Sequence, residues 1–265
     1  MNSNASAADP PAGGPAGTAA QAVHRPIPGE CSMEPIELVM LDIGGPVYDD
    51  ACYSRALLQA LRELGADVDE LAFHQVRDDH RRAQRGSLRT RIARAFLPDG
   101  DRDELSALAA RYWQYPPQAL YTDVLPALKA LAGRYRIAVV ANQNARVQDA
   151  LRRDGVAPYI DVWALSEVVG AEKPDPAIFL YALTKARVSA RRAVHVGNRL
   201  DNDVRAARSL GLRTVWVLRG EAPDAPTPQQ LAEADTAISS LAELPEALEL
   251  LQRSRSGHFS GSNGQ

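Results

Sequence analysis

Polar residues that could bind an anion stand at four points of the sequence, each at or soon after the end of an apolar run. Asp42 follows Ile36–Leu41, Asn142 follows the run RIAVVA, and Asn198–Asp203 comes soon after the run AVHV. Lys173 precedes a Pro-Asp-Pro turn. An ammonium held opposite several carboxylates is either their charge partner or a ligand for a bound anion. If these four points meet in space, the sequence predicts a site for an anionic molecule.

The elements around these points are those of a parallel sheet. Short apolar runs alternate with helical patterns from Leu120 onwards, which is typical of β–α–β units. The carboxyl ends of parallel strands lie at one edge of a sheet, where α/β proteins bind their ligands. Asp42 alone is equally consistent with capping a turn, and the other three points favour a functional role for it. The predicted strands are 36–41, 136–141, 162–165, 193–196 and 214–218, with an edge strand at 236–238.

The stretch from Tyr48 to Gln118 carries helical patterns and no convincing strand, so we expect a helical insertion after the first strand. Its helices are predicted at 53–64, 71–97 and 102–113. The middle of the insertion is basic, and a charged helical face is ordinarily solvated. The alternative is that one or two arginines face an anionic substrate, with Arg85 as the favoured candidate. The basic residues are Arg77, His80, Arg81, Arg82, Arg85, Arg89, Arg91 and Arg94.

Composition argues against several classes of protein. The formal net charge of −3 argues against nucleic-acid binding driven by bulk charge, and no apolar run approaches the length of a membrane-spanning helix. Cys31 and Cys52 form neither a metal nor a redox spacing, so a cytoplasmic location is expected. Residues 1–33, rich in Ala, Pro and Gly, and the tail 253–265 are expected to be disordered.

Four stretches together resemble the haloacid dehalogenase-like hydrolases, over about Ile36 to Gly220. The resemblance implies an α/β fold with a Rossmann-like, doubly wound parallel sheet and an inserted helical cap domain. The core would comprise residues 34–47 and 119–252, and the cap residues 48–118. The resemblance also implies that Asp42 is the nucleophile and that Lys173 contacts phosphate. The implied cofactor is Mg²⁺, with ligands from Asp42, Gly44, Asn198 and Asp203. The four stretches are DIGGPV, ANQ, EKPDPAIF and VHVGNRLDNDVRAARSLGLRTVWV.

Three groups that are usual in phosphatases of this family are replaced. Gly44 stands where a second Asp acts as the acid for the leaving group, Ala141 where a Ser or Thr contacts phosphate, and Asn198 where an acidic metal ligand is expected. A positioned acid is worth about 10²–10⁴ in rate, so we expect slow reaction when the leaving group is an alkoxide. Because Mg²⁺ favours carboxylates, we also expect it to be held weakly.

These replacements leave three functions open. The leading interpretation is a phosphatase that acts on a small phosphorylated metabolite through an aspartyl-phosphate. Asn142 and Gln143 are then candidate substrate contacts, unless they only satisfy backbone groups at the strand end. The second is a metal-independent, dehalogenase-like hydrolase, because dehalogenases carry an Asn and an Asp at the spacing of Asn198 and Asp201. The third is a non-catalytic binding or scaffold role. The expected partner is a small anionic molecule, without nucleic acid or membrane, and the sequence predicts no oligomeric state.

Overall fold

A parallel sheet of six strands forms the centre of the structure, a computed structural model that describes residues 34–98, 101–113 and 115–253. The segments predicted to be disordered, 1–33 and 253–265, lie outside the described residues except for Arg253. The strands are β1 (Leu38–Leu41), β2 (Arg136–Ala141), β3 (Val162–Leu165), β4 (Ala193–Gly197), β5 (Arg213–Val217) and β6 (Thr236–Ile238). Their order is β3-β2-β1-β4-β5-β6. The predicted α/β class is confirmed, and the six predicted strands are present to within two residues at each end.

Helices cover both faces of the sheet, as in a doubly wound fold. Alternate residues of β1 point to opposite sides: Val39 and Leu41 join one buried cluster, and Leu38 and Met40 join the other. The first cluster includes α5 (Val124–Leu131), α6 (Val147–Arg153) and α11 (Leu244–Arg253), and the second includes α8 (Pro176–Ala186) and α9 (Ala206–Ser209). Burial on both faces explains why these strands read as continuous apolar runs. The remaining short helices are α7 (Ser166–Val169) and α10 (Pro228–Leu231).

Four helices lie between β1 and α5, in the stretch predicted to form a helical insertion. They bury an apolar cluster of their own, to which each helix contributes side chains. One from each helix, in chain order, are Leu57, Phe73, Ile92 and Leu105. The side chains of Asp69, Ser87 and Asp101 cap three of the helix N-termini, as their residue types favour. These helices are α1 (Ala51–Glu63), α2 (Glu70–Ala83), α3 (Leu88–Phe96) and α4 (Arg102–Tyr112).

The helical pattern predicted over 71–97 is interrupted at Gln84–Gly86. Gln84 has a left-handed backbone with φ of 48°, and Gly86 has φ of 81°. Three interactions hold Gln84 there: its side chain donates to the Glu221 carbonyl (2.7 Å) and accepts from the Leu200 N–H (2.9 Å), and its own carbonyl accepts from Arg205 (3.2 Å). Contacts with the sheet domain thus override the local helical preference.

The strand ends meet as the sequence predicts. Leu41 lies beside Val139 of β2 and Val196 of β4, and the Asp42 N–H continues the ladder by donating to the Val196 carbonyl (2.9 Å). Residues that follow β1, β2 and β4 therefore share one edge of the sheet. After β4 the chain makes a π-helical turn, Leu200–Arg205, before α9.

Within the part of the chain that the structure describes, every helix is too short or too polar to cross a membrane.

Candidate active site

A buried ammonium joins two carboxylates at the carboxyl edge of the sheet. Lys173 Nζ lies 2.8 Å from Asp42 Oδ1 and 2.6 Å from Asp203 Oδ1. The Lys173 and Asp203 side chains are 3% and 1% exposed, whereas the Asp42 side chain is 13% exposed. Asp42 is therefore the carboxylate of this group that faces a ligand.

The Asn142 side chain fixes the backbone of Lys173. Its Oδ1 accepts from the Lys173 N–H (2.6 Å), and its Nδ2 donates to the Lys173 carbonyl (2.9 Å). Both ends of the amide thus bind the loop that carries the ammonium, which is the structural alternative raised for Asn142 in the sequence. Gln143 lines the cavity next to it, and its backbone carbonyl accepts from the Ser166 hydroxyl (3.3 Å).

Asp203 is bonded through both oxygens of its carboxylate. Oδ1 accepts from Lys173 and lies 3.0 Å from His195 Nε2, and Oδ2 accepts from the Arg199 N–H (3.0 Å). Gly197 permits this packing, because a Cβ there would lie 2.3 Å from Asp203 Cγ. His195 of β4 is buried and contacts the site through Asp203.

The pKa values of the two carboxylates are shifted in opposite directions. Burial, with the Asp203 charge, raises the pKa of Asp42 to about 6 against the opposing effect of Lys173. Burial alone would also raise the pKa of Asp203, but the Lys173 charge and the His195 hydrogen bond lower it. Burial disfavours the Lys173 ammonium, yet the charges of Asp203 and Asp42 raise its pKa. Lys173 and Asp203 thus form a fixed ion pair beside a more basic Asp42.

Asp201 and Arg199 bind the insertion. The Arg199 guanidinium contacts Asp201 (2.8 Å) and Glu221 (3.1 Å) and donates to the Gly86 carbonyl (2.5 Å). The Gly86 N–H in turn donates to Asp201 (2.9 Å). Asp201 is thereby engaged away from Lys173, so the spacing that Asn198 and Asp201 share with dehalogenases has a structural use here.

The Gly44 side of the site contains a carboxylate that the sequence analysis missed. Asp50 Oδ1 lies 3.2 Å from the position of a Cβ on Gly44, and Oδ2 lies 2.6 Å from that of a Cβ on Gly220. Burial and the charges of Glu221 and Asp42 raise the pKa of Asp50 well above its usual value. Asp50 lines the same cavity as Asp42. The sequence feature that could have indicated it is the Asp49-Asp50 pair before a helix. One of two such acids is enough to cap the helix, which leaves the other available for a different role.

A cavity of about 480 Å³ lies between the sheet edge and the insertion. On the sheet side it exposes Asp42, Lys173 and Asn198, and on the insertion side Arg89 and Arg102. Neither guanidinium makes an ion pair or hydrogen bond within the described residues. Arg85, the sequence candidate, is exposed and does not line the cavity. Within the basic segment, it is therefore Arg89, about one helical turn after Arg85, that lines the cavity.

The oxygen atoms at the cavity are of the chemical types that bind a hard divalent cation. Asp42 supplies a carboxylate, and the Gly44 carbonyl accepts no hydrogen bond within the described residues. Asn198 donates through its Nδ2 to the Arg219 carbonyl (3.2 Å), and its amide oxygen accepts no hydrogen bond from the part of the chain that the structure describes. Asp203 has both oxygens engaged. No group of three or more His, Cys, Asp or Glu side chains among the described residues is arranged to hold a metal, so the donors are mostly neutral oxygens.

Comparison with known proteins gives a consistent set of relatives. A family model for haloacid dehalogenase-like hydrolases matches residues 36–211. The chain is 34% identical to a phosphoserine phosphatase of Thermus thermophilus over 62% of this chain and 67% of that protein. It is 28% identical to a ribulose-1,5-bisphosphate 5-phosphatase of Halopiger xanaduensis over 78% and 97%. A further relative, a glyceraldehyde 3-phosphate phosphatase of Methanopyrus kandleri, is 37% identical over 39% of this chain and 46% of that protein. The chain thus spans about half the length of several curated relatives that it matches.

Solved structures share the fold over most of the chain. A 2-haloacid dehalogenase from Pseudomonas syringae is 29% identical with a TM-score of 0.54, covering 82% of this chain and 99% of that one. A HAD phosphatase from Thermococcus onnurineus is 26% identical, also with a TM-score of 0.54, covering 80% and 98%. These two neighbours, a dehalogenase and a phosphatase by name, differ in the reaction they catalyse, so the choice between the two reactions depends on the site.

Proposed function

Because this chain belongs to the haloacid dehalogenase-like hydrolase family, we propose that it is a phosphatase that transfers the phosphoryl group of a small metabolite first to Asp42 and then to water. The observation that supports this most is the buried array of Asp42, Lys173 and Asp203 at the floor of a cavity. Lys173 holds Oδ1 of Asp42 at 2.8 Å, and Oδ2 is the atom that would attack phosphorus. The phosphatases among the relatives support the same choice.

The residues present can divide the work of such a reaction. Lys173 neutralises negative charge as Asp42 approaches a phosphate, and Asp203 and Asn142 keep the ammonium in place. Asp42, Gly44 and Asn198 would hold Mg²⁺. That ion, when bound, supplies positive charge that lets a carboxylate and a phosphate come together. Since two of these three donors are neutral, weak binding of Mg²⁺ stays our prediction.

The four-helix insertion is proposed as the cap, over residues 48–118, and as the part that selects the substrate. Arg89 and Arg102 face the cavity without a partner among the described residues, so they are proposed to bind a second anionic group of the substrate. Arg89→Gln should then raise KM about tenfold or more for a substrate with such a group, because a charged hydrogen bond contributes about 1.5–3 kcal/mol. Arg91→Gln, which removes an arginine of the same helix that does not line the cavity, is the matched control.

The deciding experiment is release of p-nitrophenol from p-nitrophenyl phosphate with Mg²⁺, by wild type and by Asp42→Asn. If hydrolysis of the aspartyl-phosphate is slower than its formation, a covalent mechanism predicts a burst of product stoichiometric with wild-type enzyme, and none with the Asn variant, whose amide is a poor nucleophile. Retained turnover in folded Asp42→Asn protein would exclude the aspartyl-phosphate. Halide release from 2-haloacids in excess chelator, with no phosphatase activity, would instead support the dehalogenase-like alternative. A cytoplasmic location stays a prediction from the sequence.

A further inference from the structure

We infer that Asp50 is the acid that protonates the leaving group, in place of the carboxyl that Gly44 lacks. This inference rests on the phosphatase activity proposed above and adds a catalytic residue to it. It also revises the expectation that no residue near the first strand could protonate an alkoxide.

The position of the Asp50 carboxylate carries the inference. Its Oδ1 lies 3.2 Å from where a Cβ on Gly44 would be, so it borders the space that an Asp side chain at residue 44 would occupy. Its Oδ2 lies 3.1 Å and 2.6 Å from the Cβ positions of Gly45 and Gly220. The two glycines, both at positive φ, leave the room that this carboxylate takes.

Asp50 is free of the role that its place in the helix would give it. It is the N-cap residue of α1, yet its side chain makes no capping hydrogen bond. Asp49 takes that role, since its Oδ1 accepts from the Ala51 N–H (2.9 Å). An N-cap Asp ordinarily stabilises the first turn through its side chain. Within the described residues the Asp50 carboxylate has no hydrogen bond or ion pair, so a purely structural role leaves it unexplained.

Asp50 also lines the same cavity as Asp42, so a substrate bound at Asp42 would lie in the space that the Asp50 carboxyl borders. A carboxyl in that place can donate a hydrogen bond to the oxygen that bridges phosphorus and the substrate.

In the first step, Asp42 Oδ2 forms a bond to phosphorus while the bond from phosphorus to the bridging oxygen breaks. That oxygen takes the proton of Asp50 and departs as an alcohol. The Asp50 carboxylate then accepts a proton from the water that attacks the aspartyl-phosphate. The products are inorganic phosphate and regenerated Asp42 and Asp50.

The test uses two substrates of similar shape whose leaving groups differ in basicity, phenyl phosphate and p-nitrophenyl phosphate. The rate of the phosphorylation burst is measured with Mg²⁺ for wild type, Asp50→Asn and the neighbouring control Asp49→Asn. If Asp50 is the acid, Asp50→Asn loses about 10²-fold or more on phenyl phosphate, at the low end of general acid catalysis. Its burst on p-nitrophenyl phosphate stays within a few fold, because that leaving group departs as an anion, while its steady state slows for lack of the base. Asp49→Asn keeps the wild-type ratio between the two substrates.

A second variant guards against a folding effect. Gly44 is not at positive φ, so Gly44→Asp in the Asp50→Asn background can place the acid on residue 44 and should restore much of the phenyl phosphate rate. Equal losses on both substrates, or no loss on either, would overturn the assignment of Asp50 while leaving the phosphatase proposal intact. A wild-type enzyme that releases neither phenol nor p-nitrophenol in the presence of Mg²⁺ would instead overturn the proposed function, and the role of Asp50 with it.

Discussion

The two sides of the cavity are built in opposite ways. On the Lys173 side, the buried charged groups are bonded: the ammonium to two carboxylates, Asp203 to three donors, and the loop backbone to Asn142. On the Asp50 side, the carboxylate has no partner in the described chain and is accommodated by glycines. One side is therefore held by ion pairs and hydrogen bonds, whereas the other side leaves room around a carboxylate that has no bonding partner. A catalytic group that must exchange a proton needs the second kind of surroundings.

The largest effect should follow from breaking the bonded side. Lys173→Met leaves two buried carboxylates without their cation, so we expect the free energy of unfolding to fall by about 3–5 kcal/mol and the burst to disappear. Chemical denaturation measures the loss, and Lys129→Met, at an exposed position of α5, is the control. A loss below about 1 kcal/mol would show that the charge array does not stabilise the fold.

A smaller effect should follow from filling the space on the other side. In Gly45→Ala the new Cβ would lie 1.9 Å from Asn198 Nδ2, whereas in Gly65→Ala, at a similar φ of +77°, nothing lies within 4 Å. Both variants strain the backbone by about 1 kcal/mol, so their difference isolates the steric clash, about 1–3 kcal/mol. Thermal unfolding of the two variants measures this difference. Equal destabilisation would mean that the glycine is required for its backbone alone.

The smallest effect concerns the support of the Gly45 loop and depends on pH. Arg219 donates to the carbonyls of Gly45 (3.2 Å) and Pro46 and pairs with Asp123 (2.7 Å). Burial alone would raise the pKa of Asp123, but the bonds from Arg219 and Ser240 lower it below its usual value. A carboxyl with a lowered folded-state pKa stabilises the fold above its unfolded pKa of about 3.9 and loses that contribution as the pH falls further.

Asp123→Asn should therefore destabilise the protein by about 1 kcal/mol at pH 7, and the gap from wild type should narrow below about pH 4. Denaturation midpoints at pH 7, 5 and 3.5 would measure it. A gap that stays constant with pH would assign the effect to packing and not to the charge.

The sequence predicted the sheet and the bonded side of the site for a physical reason. Strands buried on both faces consist of apolar runs. Asp42 and Asn142 follow such runs directly, and Asp203 lies in the turn that comes after β4. The break at Gln84 could not be predicted, because it depends on partners more than a hundred residues away in the chain. Asp50 was missed because its place beside Gly44 depends on the loop conformation between β1 and α1. The basic pattern indicated the segment that faces the cavity, but not that Arg89 would face it in place of Arg85.

The contacts of Arg199, Asp201 and Gln84 contribute to the free energy needed to separate the insertion from the sheet. They consist of guanidinium, carboxylate and peptide groups, while the apolar cluster of the insertion is formed by its own helices. Breaking these contacts exposes mainly groups that water solvates well, so the heat capacity should change little, in contrast to separating Cys52, Trp113 and Tyr115 from the apolar cluster of the sheet. The charged contacts are also weakened by salt. Ionic strength should therefore act on this polar part of the contact between insertion and sheet, and temperature on the apolar part.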